Sequence, residues 1–160
     1  MEFKTQDVRR KDRLLGEQEA RTLLENGEYG VLSVQAEEGG GYGVPLNYVW
    51  DGKASLYIHC APEGRKLRCL ALCDRVSFCV VGRTRVAPSR FTTEYESLVL
   101  QGTARTGLAE EERKKALELL LKKYSPLYME KGLVYAEKSF HRTDVIRIDI
   151  HSWSGKCKRL

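Results

Sequence analysis

The residues best suited to chemistry crowd into one stretch, His59-Cys60-Ala61-Pro62-Glu63-Gly64-Arg65-Lys66, where an apolar strand gives way to a short helix. A helix start offers unpaired backbone N–H groups at the positive end of its dipole, an arrangement that suits a phosphate. Gly64 lets the backbone approach closely, and Arg65 and Lys66 add charge where a phosphate dianion would lie. The stretch matches neither a Walker loop nor a dinucleotide fingerprint, so composition alone favours an ordinary solvated basic helix start. His59 can act as a metal or haem ligand, as a hydrogen-bonded structural residue, or as a group facing cofactor or substrate. With Cys60, Cys69 and Cys73 it forms His-Cys-x8-Cys-x3-Cys, which is not a structural-zinc spacing, and no metal is expected. Cys60 reads as a small half-buried side chain at a strand end rather than a nucleophile.

A second segment, Gly43-Val44-Pro45-Leu46-Asn47-Tyr48, is carried to the same place by a hairpin. Pro45 lacks an N–H and belongs at a sheet edge or irregularity, which frees neighbouring backbone groups to meet a planar, hydrogen-bonding ligand. The bland alternative is a plain edge strand. Asp51-Gly52 predicts the tight turn, with positive φ at both central residues.

The elements that must hold these segments follow from periodicity. Strands are expected over Tyr29–Ala36, Tyr42–Trp50, Ser55–Cys60, Val76–Gly82, Tyr95–Thr106 and Thr143–Ile150. Helices are expected over Glu17–Glu25, stopped by Asn26-Gly27, over Gly64–Leu72 with Leu67, Leu70 and Ala71 inward, over Ala109–Tyr124, and over Met129–Lys138. The third is the clearest: Glu110–Glu112 and Lys122-Lys123 match the helix dipole, and Ala116, Leu117, Leu120, Leu121 and Tyr124 form an apolar stripe. About six strands with few helices between them argue for a mainly β, antiparallel sheet or barrel.

The chain has 160 residues, 42% hydrophobic and 31% charged, within the size of one domain, and residues 1–15, rich in Arg9, Arg10, Lys11 and Arg13, read as a loose N-terminal arm. The longest apolar run, Cys69–Cys73, is far too short for a bilayer span, and no membrane partner is expected. Met1-Glu2-Phe3-Lys4 lacks the apolar stretch of a signal peptide, and five cysteines without a CxxC pair read as free thiols of a cytoplasmic protein. The net charge of +5 favours anionic partners, but without interleaved aromatics no nucleic acid is expected. Trp153 reads either as a residue stacking near a cofactor or as a cover on a barrel end.

Taken in order, several blocks resemble the pyridoxamine-phosphate-oxidase-like flavoproteins and, among them, the nitroimidazole-resistance (Nim) branch. They are Glu28–Ser33, Gly43–Tyr48, Tyr57–Ala61 with Glu63–Lys66, Val76–Gly82, Phe91–Ser97, Lys123–Pro126 and Arg142–Asp149, and the resemblance runs from about Arg10 to Lys158. It implies a split β-barrel with flanking helices that binds FMN across a homodimer seam. Pro45, Leu46 and Asn47 would flank the flavin ring, His59 and Cys60 would lie beside ring and ribityl chain, and Gly64, Arg65 and Lys66 would hold the phosphate. Ser97 would reach FMN from the partner subunit. Arg68 departs from the acidic residue common in the family two places after the lysine. The activity implied is a flavin-dependent reduction of small nitro-heteroaromatic or quinone-like substrates, with His59 as the catalytic proton donor. The alternatives are a flavin- or haem-binding protein without turnover and a pyridoxamine-phosphate oxidase proper.

Overall fold

The computed structural model describes residues 1–6 and 8–160. Among them the chain forms eight strands, β1 (Glu2–Phe3), β2 (Gly30–Gln35), β3 (Gly41–Leu46), β4 (Val49–Trp50), β5 (Ser55–Cys60), β6 (Arg75–Ala87), β7 (Thr92–Arg105) and β8 (Asp144–Lys158). Four α-helices accompany them: α1 (Glu17–Asn26), α2 (Arg65–Leu72), α3 (Glu110–Tyr124) and α4 (Met129–Ser139). All four were expected, with ends shifted by a residue or two. The strands make one sheet in the order β3-β2-β6-β7-β8-β5-β4, antiparallel throughout, and β1 adds to β8 in parallel.

The expected second strand, Tyr42–Trp50, is two strands. Its first half pairs with β2 at one end of the sheet and its second half with β5 at the other. Only Asn47 and Tyr48 separate them, and three Cα steps reach at most about 11 Å. The two ends of the sheet therefore meet, and the sheet rolls into a split barrel. Alternation decides which side faces in. Leu56 and Ile58 of β5, Phe78 and Val80 of β6, Leu98 and Leu100 of β7, and Ile146 and Ile148 of β8 are buried inside it.

Other differences have local causes. The turn after β4 is not a two-residue hairpin: Asp51 keeps negative φ, its carboxylate accepts the N–H groups of Lys53 and Ser55 at 2.8 and 3.0 Å, and Gly52 alone has positive φ (77°). β6 and β7 run on into a ribbon around Pro88–Arg90, where Phe91 turns the chain at φ 48°. β8 continues past Ile150 to Lys158 because an irregularity opposite Gln101 and Gly102 restores its register with β7. Both ends of the expected loose arm are tied down. Phe3 packs edge-on against Trp153 at 4.9 Å, Leu15 is buried, and β1 adds to β8. Trp153 belongs to this core. In α2, Ala71 faces solvent and Cys69 is buried with Leu70. No helix among the described residues is long and apolar enough to cross a membrane.

Candidate functional site

β5 delivers the central side chain. Because Leu56, Ile58 and Cys60 point into the barrel, Tyr57 and His59 must point out. His59 sits opposite Val145 of β8, and Cys60 opposite Asp144. α3 packs across β4, β5 and β8, and α4 packs on α3, where Gly132 lies so close to Leu121 that a Cβ would stand 2.6 Å from its Cδ2. Between these helices and the end of β5 lies a cavity of about 560 Å³, with Asn47, His59, Cys60 and Ala61 on one wall. Leu117, Leu121, Tyr124, Tyr135 and Ala136 make the apolar wall opposite, and Arg142 lies with Thr143 at the β8 side.

The electrostatics favour a neutral imidazole. Crowding by protein, and after it the charge of Lys66, hold the His59 pKa below its ordinary value, although the ring edge remains open to solvent. Burial pushes the Cys60 thiol up and keeps it protonated, with Asp144 adding to the effect and Lys66 and Arg113 opposing it. Asp144 is itself paired with Arg113 at 3.3 Å. Beside the cavity, Tyr57 donates to Glu112 at 3.1 Å, and burial and that bond push its pKa up to about 12.

The crossover from β3 to β4 is held by side chains. The Tyr124 hydroxyl accepts the Tyr48 N–H at 3.1 Å and shares its proton between the carbonyls of Tyr48 and Glu28, each at 2.7 Å. Asn47 Nδ2 donates to the Glu28 carbonyl at 2.9 Å, and Tyr48 Oη donates to the Leu24 carbonyl at 2.6 Å. Asn47 thus both lines the cavity and fastens the crossover. Gly27 is needed beneath it for space, not for a special φ: a Cβ there would lie 2.6 Å from Tyr48 Oη. Lys123 lies against the Tyr48 ring, its Nζ 3.9 Å from the centroid and buried without a hydrogen-bond partner among the described residues.

The basic helix start is built as the spacing predicts. Gly64 caps α2 at φ 140°, no side chain caps the helix, and no acidic residue stands in its first turn. Arg65 lies 4.4 Å from the Tyr42 ring and pairs with Glu38, while Arg68 pairs with Glu37 at 3.0 Å. The family departure at Arg68 therefore ties α2 to the β2–β3 loop. Pro45 and Ser97 lie elsewhere, on the outer face of the sheet. Pro45 is on edge strand β3 opposite Val31, as its missing N–H requires, and Ser97 is on β7 opposite Val81 and Lys156. Leu46 is half-buried against the core. Within one chain, then, Asn47, His59 and Cys60 share a cavity, Gly64, Arg65 and Lys66 share the α2 start, and Pro45 and Ser97 share the sheet face.

Sequence reasoning left Tyr124, Tyr135 and Arg142 without roles. Tyr124 read as part of the apolar stripe of α3, and only its place in the block Lys123–Pro126 pointed further. A larger groove of about 700 Å³ between α1 and the β6–β7 ribbon contains none of the expected site residues.

The sequence profile of the pyridoxamine 5'-phosphate oxidase family matches residues 16–157. The chain belongs to this family. No curated protein sequence matches it. Among solved members of the same fold is a proposed 5-nitroimidazole antibiotic resistance protein from Bacteroides thetaiotaomicron, 19% identical, with a TM-score of 0.72 over 91% of this chain and 86% of that one. An FAD and heme binding protein from Mycobacterium smegmatis is 18% identical, with a TM-score of 0.73 over 91% and 72%. An FAD-binding protein from Mesorhizobium loti is 23% identical, with a TM-score of 0.63 over 92% and 98%. These likenesses show the split-barrel fold of this family member.

Proposed function

We propose that this chain is an FMN-binding flavoprotein that reduces small nitro-heteroaromatic or quinone-like substrates in the cytoplasm. The observation that carries the reading is the juxtaposition, within the family fold, of an uncapped basic helix start and an outward histidine on the strand before it. The residues present fit the cofactor. Unpaired N–H groups and two cations await a dianion at Gly64, Arg65 and Lys66, and the Arg65–Glu38 pair is exposed, so it holds Arg65 only weakly. When bound, FMN supplies the redox chemistry, as flavins do in proteins generally. The protein's own residues orient it, wall off water along Leu117, Leu121 and Tyr135, and present His59 where a proton can be donated to a reacting oxygen or nitrogen.

The reading includes a homodimer. Cross-strand pairing aligns Pro45, Val31, Cys79, Val99 and Ser154 in one row across the outer face of β2, β6 and β7. Val81 and Val99 stay exposed on this face, which suits a second copy laid against it and Ser97 acting in trans.

The visible absorption spectrum of the purified protein, with identification of the released chromophore, tests the proposal. A flavin spectrum with FMN released supports it. A Soret band would replace it with haem binding, the reading favoured by the likeness to the Mycobacterium smegmatis protein.

A further inference from the structure

The cavity beneath α3 and α4 has a one-sided charge. Fifteen residues line it and none is acidic. Burial, and after it the charge of Lys66, hold the His59 pKa below its ordinary value. The half-buried carboxylate of Asp144, next to the lining residue Thr143, is paired with Arg113. Arg142, exposed at the β8 side, is the one permanently charged lining residue, and it pairs with no carboxylate among the described residues. Its guanidinium offers a planar fork matched to a carboxylate. The rest of the wall is apolar: Leu117, Leu121, Tyr135 and Ala136 would cover a flat body, and a volume of about 560 Å³ suits a small organic molecule rather than a bare ion.

We propose that this cavity takes a flat, apolar-bodied small molecule bearing one carboxylate, oriented by Arg142 with its far end toward His59. The proposal names the substrate class for the flavin site and rests on the reading that a neighbouring flavin acts on what the cavity holds. An isosteric pair isolates the charge. Binding of 4-nitrobenzoate and 4-nitrobenzamide is measured by calorimetry on the full-length protein as purified, with FMN titrated separately. The wild type is expected to bind the carboxylate at least about tenfold tighter than the amide. Arg142→Gln should bring the two within about twofold, and Arg142→Lys should keep part of the preference as a point charge without the fork. Arg142 is exposed, so these variants fold. Equal affinities in the wild type, a preference that survives Arg142→Gln, or no binding of either compound would overturn the proposal. FMN binding without a carboxylate preference sinks this proposal and leaves the flavin reading intact. An Arg142-dependent carboxylate site in a protein that rejects FMN supports the cavity and sinks the flavin reading.

Discussion

Tyr124→Phe is the sharpest test of how the barrel is closed. The substitution keeps the ring and the cavity wall and removes one oxygen. That oxygen satisfies the N–H and the C=O of Tyr48, a residue with no exposed surface, and shares its proton with the Glu28 carbonyl. Glu28 keeps a partner in Asn47 Nδ2, but the two Tyr48 groups lose theirs. An unsatisfied buried backbone group costs about 1–3 kcal/mol, and the shared proton tempers the carbonyl's loss, so the variant should lose about 3 kcal/mol. For a chain of this size that lowers the melting temperature by roughly 9 °C. Tyr48→Phe is the control: it removes a single bond, to the Leu24 carbonyl, and should cost about 1 kcal/mol. Calorimetric or fluorescence-detected melting of the two variants beside wild type gives the comparison. A Tyr124→Phe melting point within about 3 °C of wild type would mean that water reaches the crossover, and the clamp argument would fail.

Four further outcomes are expected. Burial pushes Lys123 down to about 8 against an ordinary 10.5, with Glu25 opposing, so between those values the unfolded chain holds a proton the folded chain has lost; stability gains from this group as pH rises from 8 to 10.5, and the stability gap between Lys123→Met and wild type should shrink across that window. His59→Gln should slow reoxidation of reduced flavin by a nitroimidazole or quinone by ~10²–10⁴-fold while leaving FMN affinity nearly unchanged, and an unchanged rate would leave His59 a wall residue. Lys66→Ala should weaken FMN at least about tenfold and riboflavin little, and equal affinity of the wild type for the two would remove the phosphate from α2. Val99→Asp should convert a dimer to monomer in sedimentation, since it sets a charge in the middle of the uncovered sheet face, whereas a wild type that is already monomeric at low concentration contradicts the seam.

Much of the fold was legible because its elements obey simple periods. β5 alternates Leu56, Ile58 and Cys60 against Tyr57 and His59, and α3 carries a clear stripe with charges arranged along its dipole. What stayed hidden depends on residues far apart in sequence. Nothing local says that Tyr42–Trp50 is shared between the two ends of the sheet, since both halves are equally good strands and the break is made by Tyr124, 76 residues on. The β6–β7 ribbon was missed because Thr84, Arg85 and Val86 follow an irregularity after Val81, alternate poorly, and draw their pairing from Tyr95, Glu94 and Thr93 opposite. The candidate site was half legible. A basic helix start after a histidine can be seen in a linear sequence, but a cavity roofed by α3 and α4 cannot, because the roofing side chains look like ordinary core.

The two-residue link at Asn47 and Tyr48 also fixes an order of assembly. β2 with β3, and β4 with β5, are local hairpins whose innermost partners, Gln35 and Gly41 or Trp50 and Leu56, are six residues apart. They can form as soon as they are made. The strand that bridges β5 to β7 is β8, whose pairing of Asp149 with Ser55 spans 94 residues. β6 and β7 can add to the β2–β3 hairpin first, but until β8 is synthesised the β4–β5 hairpin stays tethered outside that sheet, so long-range closure is expected to set the folding rate.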